Sequence, residues 1–376
     1  MKKTVQETLS FPNVFNTYVL VAYRHEIRKD KPICKTIMGM NVIVVEDASG
    51  NISVLDAYCP HMGAPLSEGR FVDDCIVCPF HSMKFNVEGE RLSEKGQVLK
   101  KQTTRVYKYP TVVMGEFIFA WFDEDQKNAQ PLYQIPDITY SELHRMRMRP
   151  YAFFDIEMDC VAQIPFENTA DASHFESVHH NLKAERQKPE DYGYDPAEKI
   201  WRSKVQVSGY TFYDKAGIDF DFPHHVVMWG PNNILDDIPF RYSANAKLAP
   251  LLPQVLRKIS VLLPIRVTIL AVPVTETKTI FRLTLGMQDH KYAKLPVLKY
   301  LFNRWVALFA KPLARWEFST EGRKVFGPKV TVKSIDHLPS HEYGPMKLYR
   351  EYCALFYRRE GLKKYQEDIA TEKMAA

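Results

Sequence analysis

Two short motifs place four metal-binding side chains in two loops. They are Cys59-Pro60-His61 and Cys78-Pro79-Phe80-His81, with sixteen residues between His61 and Cys78. Each motif follows a run of β-forming residues, and the proline after each cysteine fixes φ and removes a backbone N–H. We therefore predict two rigid loops that wrap around a metal centre held by two thiolates and two imidazoles.

This ligand set has two interpretations. Two cysteines and two histidines hold structural zinc in many proteins, but zinc fingers pair Cys with Cys and His with His, whereas each loop here supplies one of each. The same four ligands hold a Rieske [2Fe–2S] centre, in which the two histidines serve one iron and raise the potential to about −150 to +300 mV. The spacing favours the Rieske centre, which moves single electrons.

A third cysteine precedes the second motif. Cys75 and Cys78 form a C-x-x-C pair, which leaves a zinc or redox role for Cys75 open. We expect Cys75 instead to be a small apolar residue on a strand that leads into the loop.

The residues around the four ligands resemble the Rieske domain of Rieske non-haem iron oxygenases. The resemblance rests on Phe11-Pro12-Asn13, on the run from Asp56 to Gly69 and on the run from Cys78 to Phe85. Quinol-oxidising Rieske proteins usually add a disulfide between the two loops, but this chain has Gly63 and Met83 there. The resemblance implies that Cys59, His61, Cys78 and His81 bind a [2Fe–2S] cluster.

A second metal site is predicted downstream, in the run from Glu167 to His179. Two histidines and a carboxylate with open positions form the facial triad of non-haem Fe(II) oxygenases. His174 and His179 are five residues apart, so on a straight helix they would point about 140° apart. We therefore expect the helix to distort or end between them, as π-bulges do at functional sites. The alternative is an amphipathic helix with two incidental histidines.

This run also resembles the Rieske oxygenases, with their E-N-x-x-D-x-x-H-x-x-x-x-H pattern. The resemblance implies that His174 and His179 bind a mononuclear iron. It also implies that Asp171 bridges this iron site to His81 of a neighbouring subunit, which requires a homotrimer. His180 is expected to be a neighbour of the site and not a ligand.

The third iron ligand is predicted from a resemblance to the sterol and steroid branch of the family, which includes 3-ketosteroid 9α-hydroxylase and cholesterol 7-desaturase. That branch has an E-x-D-x-x-I-W-x-x-K element, and the stretch from Trp316 to Lys329 corresponds to it. The alignment puts Gly322 at the aspartate, with Glu321 one residue away. We expect Glu321 to be the ligand. Water, an exogenous anion or another carboxylate, Glu317 or Asp336, stays open as the alternative.

The chain has 376 residues and is 45% hydrophobic, which is enough for two domains and a large core. We predict an α+β protein. An all-β Rieske domain (1–123) is followed by a linker (124–150) and a helix-grip-like catalytic domain of antiparallel sheet and helices (151–376). The clearest predicted elements are two hairpins, one strand and two helices: Val42–Val45 with Ile52–Leu55, Val267–Pro273 with Thr279–Leu285, Phe117–Phe122, Leu295–Phe309 and Lys347–Tyr365.

Composition excludes several classes. The net charge of +5 comes without a clustered basic element, so no nucleic-acid partner is predicted. Two of the six cysteines belong to the metal motifs, and the other four are scattered, so they form no disulfide framework. No signal region or apolar run of about 18 residues is present, and the nearest run, 248–273, carries several charges. We expect a cytoplasmic protein without a transmembrane span, with contact between 248–273 and a membrane surface left open.

The resemblance implies an enzyme that uses O₂ and electrons from an external ferredoxin or flavin reductase. It would hydroxylate or desaturate a hydrophobic small molecule, sterol- or steroid-like, with pocket residues in Phe220–Trp229 and Val297–Phe309. Two alternatives stay open. One is oxygenation of an aromatic amine or other small aromatic substrate by the same metals. The other is a degenerate electron-transfer or binding homologue without a complete iron triad.

Overall fold

The structure is a computed structural model. It describes residues 8–10, 16–99, 104–123, 130–177, 182–209, 218–221, 223–244, 260–288, 297, 304, 331–333 and 338–358. The chain falls into two compact units. The N-terminal unit comprises Asn13–Gln134 with Val272–Glu276, and the C-terminal unit comprises Met1–Pro12, Ile135–Ala271 and Thr277–Ala376.

The described residues up to 123 contain short strands and two 3₁₀ turns. The strands are β1 Thr8–Ser10, β2 Thr17–Tyr23, β3 Ile33–Ile37, β4 Met40–Glu46, β5 Ile52–Asp56, β6 Arg70–Val72, β7 Cys75–Val77, β8 Lys84–Asn86, β9 Arg91–Leu92, β10 Lys108–Tyr109, β11 Thr111–Met114 and β12 Phe117–Phe122. The 3₁₀ turns are Arg24–Glu26 and Leu66–Glu68.

All of these strands except β1 build three small sheets in the described part of the N-terminal unit; β1 belongs to the C-terminal unit and pairs with Thr331–Lys333. Their orders are β10-β5-β4-β3, β11-β12-β2 and β6-β7-β8-β9. Strands β2 and β12 are buried at every position, as expected for continuous apolar runs. The predicted hairpin β4–β5 and the predicted strand β12 are confirmed.

One hydrophobic cluster joins the first and third of these sheets. It contains Ile43, Leu55, Phe71, Ile76 and Phe85, each at most 6% exposed. Burying such a side chain contributes about 1.5–3 kcal/mol. The two motif cysteines belong to the same cluster, so the core itself anchors the bases of both predicted metal loops.

The C-terminal unit contains longer strands and few helices. The strands are β13 Tyr140–Ser141, β14 Met146–Met158, β15 Leu182–Ala184, β16 Tyr192–Asp195, β17 Ile200–Val205, β18 Val207–Gly209, β19 Ile218–Asp221, β20 His224–Trp229, β21 Asn233–Ala244, β22 Ser260–Thr275, β23 Lys278–Gln288 and β24 Thr331–Lys333. The helices are α1 Gln163–Phe166, α2 His174–Ser177 and α3 Ser340–Ala354, with 3₁₀ turns at Glu167–Ala170 and Pro189–Asp191.

Among the described residues, eleven strands form one largely antiparallel sheet. Its main order is β13-β14-β23-β22-β21-β19-β18-β15; in addition β21 pairs with β20, β20 with β17 and β17 with β16. Strands β22 and β23 confirm the second predicted hairpin and extend it to Ser260 and Gln288. The α+β expectation, with a β-rich N-terminal part before a larger sheet-and-helix part, is confirmed.

The helix predictions have mixed outcomes. Helix α3 begins at Ser340, seven residues before the predicted start, because Pro345 lies inside it and does not end it. The carbonyl that loses a partner to Pro345 is that of His341, which is exposed and can bond water. Helix α3 ends at Ala354, so the predicted continuation to Tyr365 is wrong over 355–358, and 359–365 lie outside the described residues. The predicted helix Leu295–Phe309 lies outside them too, apart from Val297 and Arg304. No helix in the described part is long and apolar enough to cross a membrane.

Candidate metal centres and their surroundings

The two motif loops of the N-terminal unit share one backbone design. In each loop the cysteine N–H donates to the carbonyl five residues further on, over 2.9 Å at both Cys59 and Cys78. The residue four positions after each cysteine donates back to the cysteine carbonyl, Gly63 over 2.8 Å and Ser82 over 3.1 Å. Both of these residues have positive φ, +71° and +52°. The repeated geometry makes each loop a rigid ligand holder.

The two loops bring like ligands together. Cys59 and Cys78 are both 2% exposed, and their thiols interact with each other. His61 and His81 are exposed, and their Nδ1 atoms lie 3.3 Å apart. A buried thiol pair and an exposed imidazole pair fit the Rieske donor set, in which one iron takes the cysteines and the other the histidines.

Two opposing effects act on the pKa of the Cys59 thiol. Burial raises the pKa of the Cys59 thiol, while the backbone amides of His61 and Met62 donate to it and lower that pKa. Amide hydrogen bonds to cysteine sulfurs tune the potential of iron–sulfur clusters. A metal that binds the thiolate displaces the proton, so cluster binding is coupled to folding of the loops.

The imidazoles of His61 and His81 are surrounded by exposed apolar side chains. Met62 is 64% exposed and Phe80 is 60% exposed, and the ring of Phe80 lies 4.0 Å from that of His81. We call the exposed surface formed by Met62, Phe80 and the imidazoles of His61 and His81 the histidine edge.

Cys75 lies on β7, as expected, and its thiol donates to the carbonyl of Asp73 over 3.2 Å.

In the C-terminal unit, the predicted iron segment is a chain of short helical turns. It runs through α1, the turn Glu167–Ala170 and α2. The Asp171 carboxylate accepts from the backbone N–H of Ser173 over 2.9 Å and from that of His174, so it caps α2. The structure thus assigns Asp171 a local structural role in addition to the predicted bridging role.

His174 is prepared as a neutral ligand. Its Nδ1 donates to the carbonyl of Asp171, which leaves Nε2 to carry the lone pair that a metal requires. Burial, with a smaller contribution from the nearby His224, lowers the pKa of His174 to about 4, although the hydrogen bond to the Asp171 carbonyl acts to raise it. A neutral imidazole with a fixed orientation fits a ferrous iron ligand.

The other predicted iron ligands lie outside the described residues. His179 falls in 178–181, and Glu321, Gly322, Glu317 and Asp336 fall in stretches that are likewise outside. Helix α2 is described through Ser177, so the predicted distortion between the two histidines stays a prediction.

Helix α3 holds the iron segment through side-chain contacts that the sequence analysis missed. Arg350 Nε donates to Glu167 Oε1 over 2.9 Å, with both side chains nearly buried. Ser173 donates to Glu342 over 2.7 Å. A similar contact follows the helix: Tyr357 donates to Gln163 over 2.6 Å.

One face of the large sheet also contacts the iron segment. Thr169 donates to the Met228 sulfur over 3.6 Å, and Ser203 donates to the Thr169 carbonyl over 2.8 Å. Ser203 pairs with Val226 and the next residue on this face, Val205, pairs with His224. Because side chains alternate along a strand, His224, Val226 and Met228 share this face. We call it the iron-side face.

His224 and Asp236 meet on the iron-side face. Asp236 Oδ2 binds His224 Nδ1, and Asp236 Oδ1 accepts from the backbone N–H of His225 over 3.1 Å. The ring of His224 lies 5.2 Å from that of Phe175, the residue after His174. The sequence signal for this pair was two doublets, His224-His225 and Asp236-Asp237, each of which places one residue on each face of a strand.

The opposite face carries a structural ion pair. Arg266 donates to both carboxylate oxygens of Asp237, over 2.7 and 2.8 Å, and to the carbonyls of Ile138 and Tyr140. Ser141 donates to Asp237 over 2.6 Å. Because Arg266 and Asp237 hydrogen-bond to each other and to residues of β13, this network holds β13 against β21 and β22.

Comparisons with known proteins find a matching domain family and several similar proteins. Residues 17–107 match the Rieske [2Fe-2S] domain. The chain is 31% identical over 154 residues to the oxygenase component of 3-ketosteroid-9-alpha-monooxygenase from Mycolicibacterium smegmatis, covering 40% of this chain and 39% of that protein. It is 26% identical over 187 residues to cholesterol 7-desaturase from Drosophila melanogaster, covering 47% and 41%.

A solved structure extends the likeness to the whole fold. Dicamba monooxygenase bound to dicamba superposes with a TM-score of 0.59 at 18% identity, covering 94% of this chain and 98% of that one. The aligned regions span about two fifths of the curated relatives. Residues 17–107 are therefore a Rieske [2Fe–2S] domain, and the chain shares its overall fold with dicamba monooxygenase.

Proposed function

We propose that this chain is the oxygenase component of a Rieske non-haem iron enzyme. It would use O₂ and electrons from an external ferredoxin or flavin reductase to hydroxylate or desaturate a hydrophobic, sterol- or steroid-like substrate. The observation that carries the proposal is the pairing of buried thiols and facing imidazoles in two matching loops. The matches to steroid and sterol oxygenases support the substrate class.

Four residues hold the cluster in this proposal. Cys59 and Cys78 would bind one iron, and His61 and His81 the other through their facing Nδ1 atoms. The bound cluster supplies a store for one electron. The exposed imidazoles, and not the buried thiols, provide the edge through which that electron leaves.

A second set holds the mononuclear iron. His174 would bind through Nε2, together with His179 and Glu321, and the open alternatives to Glu321 are those given above. The bound iron supplies O₂ activation. The Asp171 carbonyl holds His174 in one tautomer, and burial keeps the ring neutral.

The proposed electron route requires a homotrimer. We propose that His81 of one subunit meets Asp171 of the next. The exposed Phe80 and Met62 beside His81 support a contact with another protein surface. Cytoplasmic placement belongs to the same proposal, and it is supported by the six free cysteines.

Iron content tests the function. With both metals the protein should contain about three irons per chain and show a mononuclear Fe(II) signal that responds to nitric oxide. Two irons per chain, with a cluster signal alone, would instead support the electron-transfer alternative. Glu321→Ala should remove the third iron, and unchanged iron content would exclude Glu321 as a ligand.

Asp171→Asn tests the bridge. Asparagine retains the cap on α2, so both metals should stay bound while turnover slows because the bridging charge is lost. Single-turnover cluster reoxidation measures this step, and a normal rate would exclude the bridging role. Substrate-stimulated oxygen uptake with steroids and with aromatic amines separates the two substrate classes.

A further inference from the structure

We propose that His224, held by Asp236, is the polar anchor of the substrate site and hydrogen-bonds an oxygen atom of an otherwise apolar ring substrate. This inference rests on the proposed oxygenase function and specifies the substrate that the site recognises. The substrate class is a fused-ring or aromatic molecule with a hydroxyl or carbonyl group.

The position of His224 on the sheet supports this role. It shares the iron-side face with Met228, which accepts a hydrogen bond from Thr169 in the iron segment. Its cross-strand neighbour Val205 packs in the cluster that contains Ala172 and Phe175. His224 therefore lies on the same side of the sheet as the iron segment.

His224 also lies near the predicted iron ligand His174. The His224 ring lies 5.2 Å from the Phe175 ring, which in turn lies 4.3 Å from the His174 ring. His224 and the predicted iron ligand His174 therefore both lie beside the ring of Phe175.

The carboxylate of Asp236 orients the imidazole of His224 for hydrogen bonding. The Asp236 carboxylate is held at both oxygens, by His224 and by the His225 amide, and Asp236 is only 8% exposed. A carboxylate on Nδ1 fixes the orientation of an imidazole and directs its chemistry to Nε2. The His224 side chain is 16% exposed, and its Nε2 lies in the buried part of the side chain, shielded from water.

The surroundings of the His224–Asp236 pair are mainly apolar. The nearest cluster on this face is apolar: Val205, Val207 and Ile238 are buried, and Ala172, Phe175 and Val267 pack against them. Ligand sites commonly combine mainly apolar walls with a small number of polar groups that fix orientation. A site built to bond a substrate oxygen discriminates strongly against an analogue without it.

Binding of a matched probe series tests the inference. The probes are 5α-androstan-3β-ol, 5α-androstan-3-one and the parent hydrocarbon 5α-androstane, titrated into the anaerobic iron-loaded protein and followed by tryptophan fluorescence. The wild type should bind at least one oxygenated probe about tenfold or more tighter than the hydrocarbon. The hydroxyl and ketone arms distinguish the two oxygen groups.

Two substitutions at one position separate recognition from folding. Asn in His224→Asn can reach Asp236 but lacks the far nitrogen, so the preference for the oxygenated probe should fall to about onefold. Gln in His224→Gln can place a polar group near the position of Nε2 and should restore part of the preference. His225→Asn is the matched control on the opposite face and should retain the wild-type ratio.

Three outcomes would overturn the inference: no preference in the wild type, a preserved preference in His224→Asn, or no binding of any probe. Iron content and the nitric oxide response are measured on the same samples. Three irons with a failed preference would reject the anchor alone, whereas two irons would reject the proposed function.

Discussion

Arg350 and Glu167 form a buried ion pair that joins the C-terminal helix to the start of the iron segment, with Nε and Oε1 2.9 Å apart across 183 residues of sequence. The side chains are 4% and 12% exposed. The pair therefore ties the last described helix to a segment of short turns that has little helical stability of its own.

Breaking this pair should destabilise the C-terminal unit. Arg350→Met leaves the Glu167 carboxylate buried without its charge partner, which should cost about 3–5 kcal/mol in free energy of unfolding. Urea unfolding followed by far-UV circular dichroism measures the loss. Arg350→Met combined with Glu167→Gln should recover part of it.

The exposed pair Arg202–Glu198 provides the control. Its side chains are 57% and 56% exposed, so Arg202→Met should leave the unfolding midpoint close to that of the wild type. Equal losses in the Arg350 and Arg202 variants would show that burial of the pair has no special importance.

The cluster assignment predicts different results for two cysteines three residues apart. Cys78→Ser should abolish the visible absorption and the EPR signal of the [2Fe–2S] centre, because a ligand is lost. Cys75→Ser should retain both signals, since Cys75 lies on β7 and its thiol donates to the carbonyl of Asp73. The reverse result would support the C-x-x-C alternative.

Two buried thiols predict a loss of stability in alkali. Burial raises the pKa of Cys160 to about 12 and raises that of Cys353 further, whereas a free thiol has a pKa of 9.0. Above pH 9 the unfolded chain releases protons that the folded chain retains, so rising pH favours unfolding. Each thiol should lower the free energy of unfolding by about 1.4 kcal/mol between pH 8 and pH 10.

The measurement is urea unfolding at both pH values under reducing conditions. A double variant, Cys160→Ala with Cys353→Ala, removes both ionisations and should lose about 3 kcal/mol less than the wild type over this interval. Parallel losses in the two proteins would contradict the assignment of the alkaline effect to these thiols.

The histidine edge predicts the oligomeric state. Phe80→Asp or Met62→Asp should shift the protein from the proposed trimer to a monomer while the cluster spectrum stays intact, because a charge in a buried interface is unfavourable. Light scattering after gel filtration measures the mass. Val72→Asp is the control, since Val72 is 47% exposed on β6 outside the histidine edge; an effect of equal size there would argue against this surface.

Sequence reasoning succeeded where the determinants are local. Ligand spacing and the prolines after Cys59 and Cys78 predicted two loops, and the apolar run 117–122 predicted β12 at its observed bounds. Phe220–Trp229, expected to supply pocket residues, stays a prediction, and it contains His224. The partner of His224 could not be predicted, because the pairing depends on the register of β20 against β21.

The same limit applies to helix α3. Gly344-Pro345 has the composition of a helix end, yet the helix continues through it, stabilised by the contacts of Arg350 and Tyr352 with the rest of the unit. Such tertiary contacts outweigh local propensity. Glu321 stays a prediction for a different reason, because it lies outside the described residues.

Asp236 and Asp237 are neighbours in β21, but one orients His224 and the other holds Arg266. Their separation depends only on whether a residue number is even or odd. Deleting or inserting one residue upstream in this strand would exchange the two carboxylates and disrupt both networks at once. Substitutions that keep the count are less constrained: the chemistry beside the iron segment can diversify at one set of alternating positions while the other set preserves the scaffold.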